Sequence, residues 1–284
     1  MNPWLETLGV ILLAVVGGFL GLWLSRLPRP YWLLGYFLPL AALVLIALAR
    51  WIPRLEFVAP MSWLMAGRTE FALCPLVGTM IFTTLMSRIP RRQLKILISI
   101  LMVLVCAQPL WMFIAPAFNR ASLARLVTRT DNNGICLQST EYNCGPAAAV
   151  TALRKLGLPA EEGDIAILFH CAPGLGTQPD VMCEALKKRY GSQGLNCEYR
   201  YFDSISELKN DGITIAVTKF SFWVDHYVTV LEVDGDTVIV GDPLSGKQKL
   251  SREDFTQKWR LVGVVLKRDA TTPATPRGSS HRSP

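Results

Sequence analysis

Four apolar runs fill most of the first 130 residues: Leu5–Leu24, Tyr31–Ala49, Phe71–Met86 and Ile96–Phe118. Three of them come close to the roughly 20 residues an α-helix needs to cross the hydrocarbon of a bilayer. Runs that are apolar on every side do not suit the buried helices of a soluble core. The start, MNPWLE, carries no Lys or Arg before the first run, so that run reads as an anchor and not as a cleaved signal peptide. The third run is shorter and follows Arg68 and Glu70. It reads as a span with those charges at its interfacial end, with a re-entrant or surface-lying segment as the alternative. The expectation is a membrane region over 1–130 with about four transmembrane helices, near 5–24, 31–49, 69–87 and 96–118.

The formal charge of +7 could suggest a nucleic-acid binder, but its distribution argues against one. Residues 1–130 hold 12 Lys/Arg against three acids, a net of +9, and residues 131–284 hold 17 against 19, a net of −2. The basic excess flanks the apolar runs, as membrane topology requires, and no nucleic-acid partner is expected. Arg26 and Arg29 follow the first run; Arg88, Arg91, Arg92 and Lys95 follow the third. With both loops cytoplasmic, four spans return the second half to the periplasmic side of a bacterial inner membrane. Three spans would leave it in the cytoplasm, and Arg120, Arg125 and Arg129 pull mildly that way.

From about Asp131 the texture becomes mixed, with turn residues between short periodic segments. CGPAAAVTALRKLG predicts a helix over Gly145–Leu156 ended by Gly157, and QPDVMCEALKKRYG another over about Pro179–Tyr190. NCEYRYF, ITIAVT, YVTVLEV, TVIV and LVGVVLK read as strands, with a hairpin turn at Asp234-Gly235-Asp236, and SREDFTQKW as a short helix. Helices first and antiparallel strands after them predict an α+β domain over 131–268. The Pro/Ser/Thr-rich 269–284 reads as a disordered tail.

Within that half, Cys144 begins the first helix. A thiol there feels the positive end of the helix dipole, which favours thiolate. Gly145 permits close backbone approach, and Pro146 in the first turn costs no hydrogen bond. Of the three histidines, His281 lies in the tail and His170 ends an apolar run, while His226 stands at a loop-to-strand junction in FWVDHYVTV. The hairpin that follows would return Asp242 beside His226, where a carboxylate fixes the imidazole's tautomer and stabilises imidazolium. Asp225 is a rival orienter, but neighbouring strand residues face opposite ways. Gln138, six residues before the cysteine, would donate to the oxyanion together with the Cys144 N–H.

QSTEYNCGPA, followed by a helix and later by HYV and DP, resembles cysteine-peptidase family 39, the papain-like domains of bacteriocin and peptide exporters that cut leader peptides after a double glycine. GLGTQPDVMCEAL is similar to the Gly-Thr helix start in such domains. The resemblance covers about 131–268 and implies Cys144 as nucleophile, His226 as base, Asp242 as orienter and Gln138 as oxyanion donor. The chain departs from the pattern at Asn143, where the family often has Asp, and in placing its apolar region before the peptidase-like half.

The whole reads as an α-helical transmembrane region followed by an α+β papain-like cysteine peptidase domain. Its expected partners are a peptide or protein substrate, the lipid bilayer and a separate exporter. A non-cleaving peptide-binding module and a transglutaminase-like acyl transferase are the alternatives. No cofactor and no metal is expected: no cysteine pair has Cys-x-x-Cys spacing. GDPLSGKQ has the glycine-lysine spacing of a phosphate loop but puts Gln248 where Ser or Thr is needed, and reads as a polar hairpin. Cys171, Cys183 and Cys197 are candidates for a disulfide, with the pairing open; Cys74 and Cys106 read as packing residues in the apolar runs.

Overall fold

The structure is a computed structural model that describes residues 3–65, 68–174, 176–209, 212–221 and 224–269. The expected tail therefore lies outside the described residues, apart from Asp269. The chain divides into two compact units, Met1–Ser122 with His170–Gln178, and Leu123–Phe169 with the rest of the C-terminal half.

The first unit is helical: α1 (Pro3–Ser25), α2 (Leu34–Trp51), a single turn α3 (Met61–Leu64), α4 (Thr69–Arg88) and α5 (Arg92–Leu123). All except α3 are long and apolar enough to cross a membrane, the short third run included. Small residues let α1 and α4 approach closely, as in membrane helix pairs. A Cβ on Gly17 or Gly21 would collide with the Leu76 or Met80 carbonyl. Thr79 Oγ1 donates to Ala14 O at 2.7 Å and Thr84 Oγ1 to Gly21 O at 3.2 Å, bridging the two helices. The charges around the third run are paired: Glu70 with Arg50, and Arg68 with Glu6 at 3.5 Å. Phe19, Phe37, Val103 and Leu104 point outward uncovered, which suits lipid and not water.

The second unit opens with a short ladder, β1 (Arg129–Thr130) and β2 (Cys136–Leu137), then α6 (Cys144–Lys155), α7 (Glu162–Leu168) and α8 (Pro179–Tyr190). The strands β3 (Leu195–Tyr201), β4 (Ile213–Lys219), β5 (Asp225–Asp234), β6 (Thr237–Asp242), β7 (Gly246–Ser251) and β8 (Trp259–Arg268) form one antiparallel sheet ordered β3-β8-β4-β5-β6-β7. A helix α9 (Arg252–Lys258) lies between β7 and β8 and is capped by Ser251, which accepts from the Asp254 N–H. The sheet is central because its strands are apolar and β-branched, and it is covered. Thr229 Oγ1 on β5 donates to Ala148 O on α6 at 2.9 Å, while Val228, Val230 and Val240 pack with Phe202, Phe255 and Trp259 in a separate core.

The helices and apolar strands expected from the sequence are present. Besides the single turn α3 and the two-residue strands β1 and β2, α7 and β7 escape its periodicity. Helix α7 has seven residues, too few for a helical stripe to show, and β7 (GKQKLS) is a polar edge strand. The strand β7 makes GDPLSGKQ the turn of a hairpin, with Asp242 opposite Gly246.

Candidate active site

Helix α6 begins at Cys144, a residue 9% exposed. Two ties set that helix start. The Thr229 bond to Ala148 O holds the helix on β5 one turn below the cysteine, and Thr151 Oγ1 accepts from the Cys136 N–H at 2.9 Å, binding the helix to β2. His226 is the second residue of β5 and 8% exposed. Its carbonyl accepts from Thr218 Oγ1 on β4 at 3.1 Å, which fixes the strand end that carries the ring.

Asp242 ends β6, and its Oδ1 accepts from His226 Nε2 at 2.8 Å. A second donor, the Leu244 N–H at 2.8 Å, holds the same oxygen. The meeting depends on an irregularity. Near the turn Asp234 pairs with Thr237, Val233 with Val238 and Glu232 with Ile239; beyond Leu231 the register shifts, so that Val230 pairs with Val240 and Thr229 with Gly241. Leu231 is the extra residue of a β-bulge. Without it Asp242 would stand opposite Thr229, on the other side of the strand from His226. Carried one residue past the Thr229–Gly241 pair, the shifted register sets Asp242 level with Val228, the side of His226 two residues earlier.

The electrostatics follow from these contacts. Burial pulls the His226 imidazole down. The hydrogen bond to Asp242, the hydrogen bond with Cys144 and the attraction of both groups push it up to about 9. Since Nε2 is taken by Asp242, Nδ1 is left for the thiol. Burial raises the Asp242 carboxyl, but the His226 and Leu244 hydrogen bonds and the His226 charge hold it below the usual carboxylate range. His226 therefore joins both Asp242 and Cys144, with its imidazole protonated at neutral pH.

Gln138 is tied to the same neighbourhood through its backbone, whose N–H donates to Pro243 O at 2.9 Å, next to Asp242. Its side-chain Nε2 donates to Thr140 O at 2.8 Å, within the loop that leads to Cys144. One Nε2 hydrogen is so used, and the other has no partner among the described residues. Gln138 Oε1 is buried without a partner among the described residues.

The rivals are elsewhere. Asp225 is engaged by Arg260, whose Nε donates to Oδ1 at 2.8 Å. His170 belongs to the first unit, where its carbonyl accepts from Arg68 Nη2 at 3.1 Å. Burial, then the charges of Arg68 and Arg120, hold its imidazole down to about 4. None of the seven cysteines, all of them among the described residues, is in a disulfide. Cys171 Sγ lies 2.9 Å from Thr177 Oγ1, whereas Cys183 on α8 and Cys197 on β3 hydrogen-bond side chain to side chain. Among the described residues no cluster of His, Cys, Asp and Glu could hold a metal.

One residue at this site has no signature in the sequence. Glu162, the first residue of α7, is 0% exposed. Its carboxylate accepts from Ser139 N at 2.7 Å, Ser139 Oγ at 2.6 Å and Asn143 Nδ2 at 3.3 Å. The only hint is an acidic residue at the start of a short apolar segment, which a solvated helix start explains equally well.

Comparison with known proteins fits this arrangement. The chain is 30% identical over 135 residues to an uncharacterized protein of Methanothermobacter marburgensis, covering 48% of this chain and 89% of the relative. It is 26% identical over 132 residues to a Pseudomonas aeruginosa protein named "Probable functional amyloid protease FapD", covering 45% of this chain and 57% of the relative. Among solved structures it is similar to a double glycine motif protease from an AMS/PCAT transporter in complex with the leader peptide, at 17% identity and TM-score 0.40, over 51% of this chain and 96% of that one. It is also similar to the peptidase domain of Streptococcus ComA, a bifunctional ABC transporter of a quorum-sensing pathway, at 22% identity and TM-score 0.41, over 47% and 96%. Residues 132–271 match the peptidase C39 family, and the stretch includes both Gln138 and the Cys144–His226–Asp242 line. By that match this chain, through its C-terminal half, belongs to the peptidase C39 family of cysteine peptidases.

Proposed function

We propose that this chain is a membrane-anchored cysteine peptidase that cleaves peptide bonds with Cys144 as nucleophile, His226 as acid–base, Asp242 as orienter and Gln138 as oxyanion donor. The observation that carries the reading is the pair of partners on His226, Asp242 at 2.8 Å from Nε2 and Cys144 hydrogen-bonded to the same ring. An imidazole so held is protonated at neutral pH and stabilises a thiolate beside it. The thiolate adds to the scissile carbonyl. The resulting oxyanion takes the free Nε2 hydrogen of Gln138 and the Cys144 N–H at the helix start. His226 then gives its proton to the leaving amine. The acyl-enzyme is hydrolysed by a water whose proton returns to His226, and Asp242 holds the ring in one tautomer throughout.

The apolar helices of residues 1–130 confine this chemistry to the membrane surface, with residues 131–268 as the catalytic domain on the extracytoplasmic side. A leader or precursor peptide passing through a separate exporter is the substrate class that this placement suits. The relative named as a probable functional amyloid protease supports a peptide or protein substrate.

The test is turnover of a peptide library by the full chain in detergent or nanodiscs. Cys144→Ala is expected to abolish cleavage with an unchanged melting temperature, and undiminished cleavage by that variant sinks the reading. Gln138→Ala is expected to lower kcat by about 10²–10³, the usual loss when one oxyanion donor is removed.

A further inference from the structure

We infer that Glu162 is a positioning residue that builds the oxyanion hole, an inference that rests on the peptidase reading above. The loop between Gln138 and Cys144 carries both oxyanion donors, and Glu162 grips it at its two ends. Ser139, bonded through its N–H and its hydroxyl, follows Gln138 directly. Asn143, bonded through its side-chain amide, precedes Cys144 directly.

Two features separate this from ordinary packing. First, the carboxylate is fully buried, and its hydrogen-bond partners among the described residues are these neutral donors, with no Lys or Arg paired to it. An unpaired buried carboxylate is costly, and here both of its oxygens go to one loop. Second, Asn143 stands at the N-cap of α6, where an Asn ordinarily accepts from the first-turn amides. It makes no such bond, and its Oδ1 is buried without a partner among the described residues. Glu162 draws the Asn143 side chain away from the helix. The Gly145 N–H, the amide an N-cap Asn would engage here since Pro146 has none, is left uncapped beside that of Cys144, as a site for developing negative charge requires.

The test compares two reactions of Cys144 that differ in needing the hole, both in the full-length protein and both read at the Cys144 peptide by mass spectrometry. p-Nitrophenyl acetate transfers its acetyl group to the sulfur through a tetrahedral oxyanion and releases p-nitrophenolate. Iodoacetamide alkylates the same sulfur by displacing iodide, with no oxyanion formed. Glu162→Gln keeps the shape but turns a donor toward Ser139 or Asn143. Acetylation is expected to fall about tenfold or more, a part of what losing a donor outright costs. Alkylation and its pH profile should stay within about twofold of wild type, since thiolate formation depends on His226. Equal loss in both reactions, or loss in neither, overturns the inference. Should Glu162→Gln not fold, judged by its melt, Ser139→Ala removes one of the three bonds and is expected to act in the same direction with a smaller effect; equal rates with wild type there overturn it as well. Failure of the peptidase reading looks different: wild-type Cys144 would then alkylate no faster than in His226→Ala, and both proposals would fall together.

Discussion

His226 stands between burial, which disfavours its charged form, and two partners that favour it, and the partners prevail, holding the imidazole up to about 9. The sign of the pH dependence follows. In the proposed mechanism the proton given to the leaving amine sits on His226; it is present at neutral pH and lost as pH rises through about 9, so cleavage is expected to fall there. Asp242→Asn removes one of the raising contacts, and the alkaline limb should move to lower pH. A pH–rate profile of both proteins checks this, and an alkaline limb unmoved in the variant would mean that Asp242 does not act through His226. Stability carries the same sign. The contribution of the raised imidazole is complete below the free group's value of about 6.5 and fades as pH climbs through the folded value.

At the scale of elements, the bulge at Leu231 makes a hairpin part of the candidate active site. Deleting Leu231 restores a straight register between β5 and β6 and sends Asp242 to the far side of the strand from His226. The expected outcome is a folded protein whose cleavage rate has dropped by about 10⁴, the loss seen when a triad orienter fails. Circular dichroism and turnover together test it, and full activity in the deletion would show that the shifted register is dispensable. The α6–β5 clamp is of the same kind. The Thr229 hydroxyl holds a main-chain carbonyl on the helix, so the thiol's position is set by a strand distant in sequence.

On the scale of the whole molecule, four apolar helices with large uncovered side chains precede a domain of mixed composition. With four spans and basic loops after α1 and α4 on the cytoplasmic side, the catalytic half is expected outside. An alkaline phosphatase fusion after residue 130 should be active in a bacterial host, and a stable but inactive fusion would put the domain in the cytoplasm. The sequence by itself determined much here. Transmembrane length is a one-dimensional property, and so is a cysteine at the start of an amphipathic helix, so both the apolar runs and the candidate nucleophile were legible. The strand order His226 to Asp242 around an Asp-Gly turn was legible for the same reason. Only the tertiary structure decided on which side of the strand Asp242 stands, because a single bulged residue reverses the side and leaves hydrophobic periodicity almost unchanged. It also decided the part played by Glu162, whose meaning comes from burial against a loop 19 to 23 residues away and from no pattern of its neighbours. Burial of a charge is set by what packs over it, and that is a property of the folded chain alone.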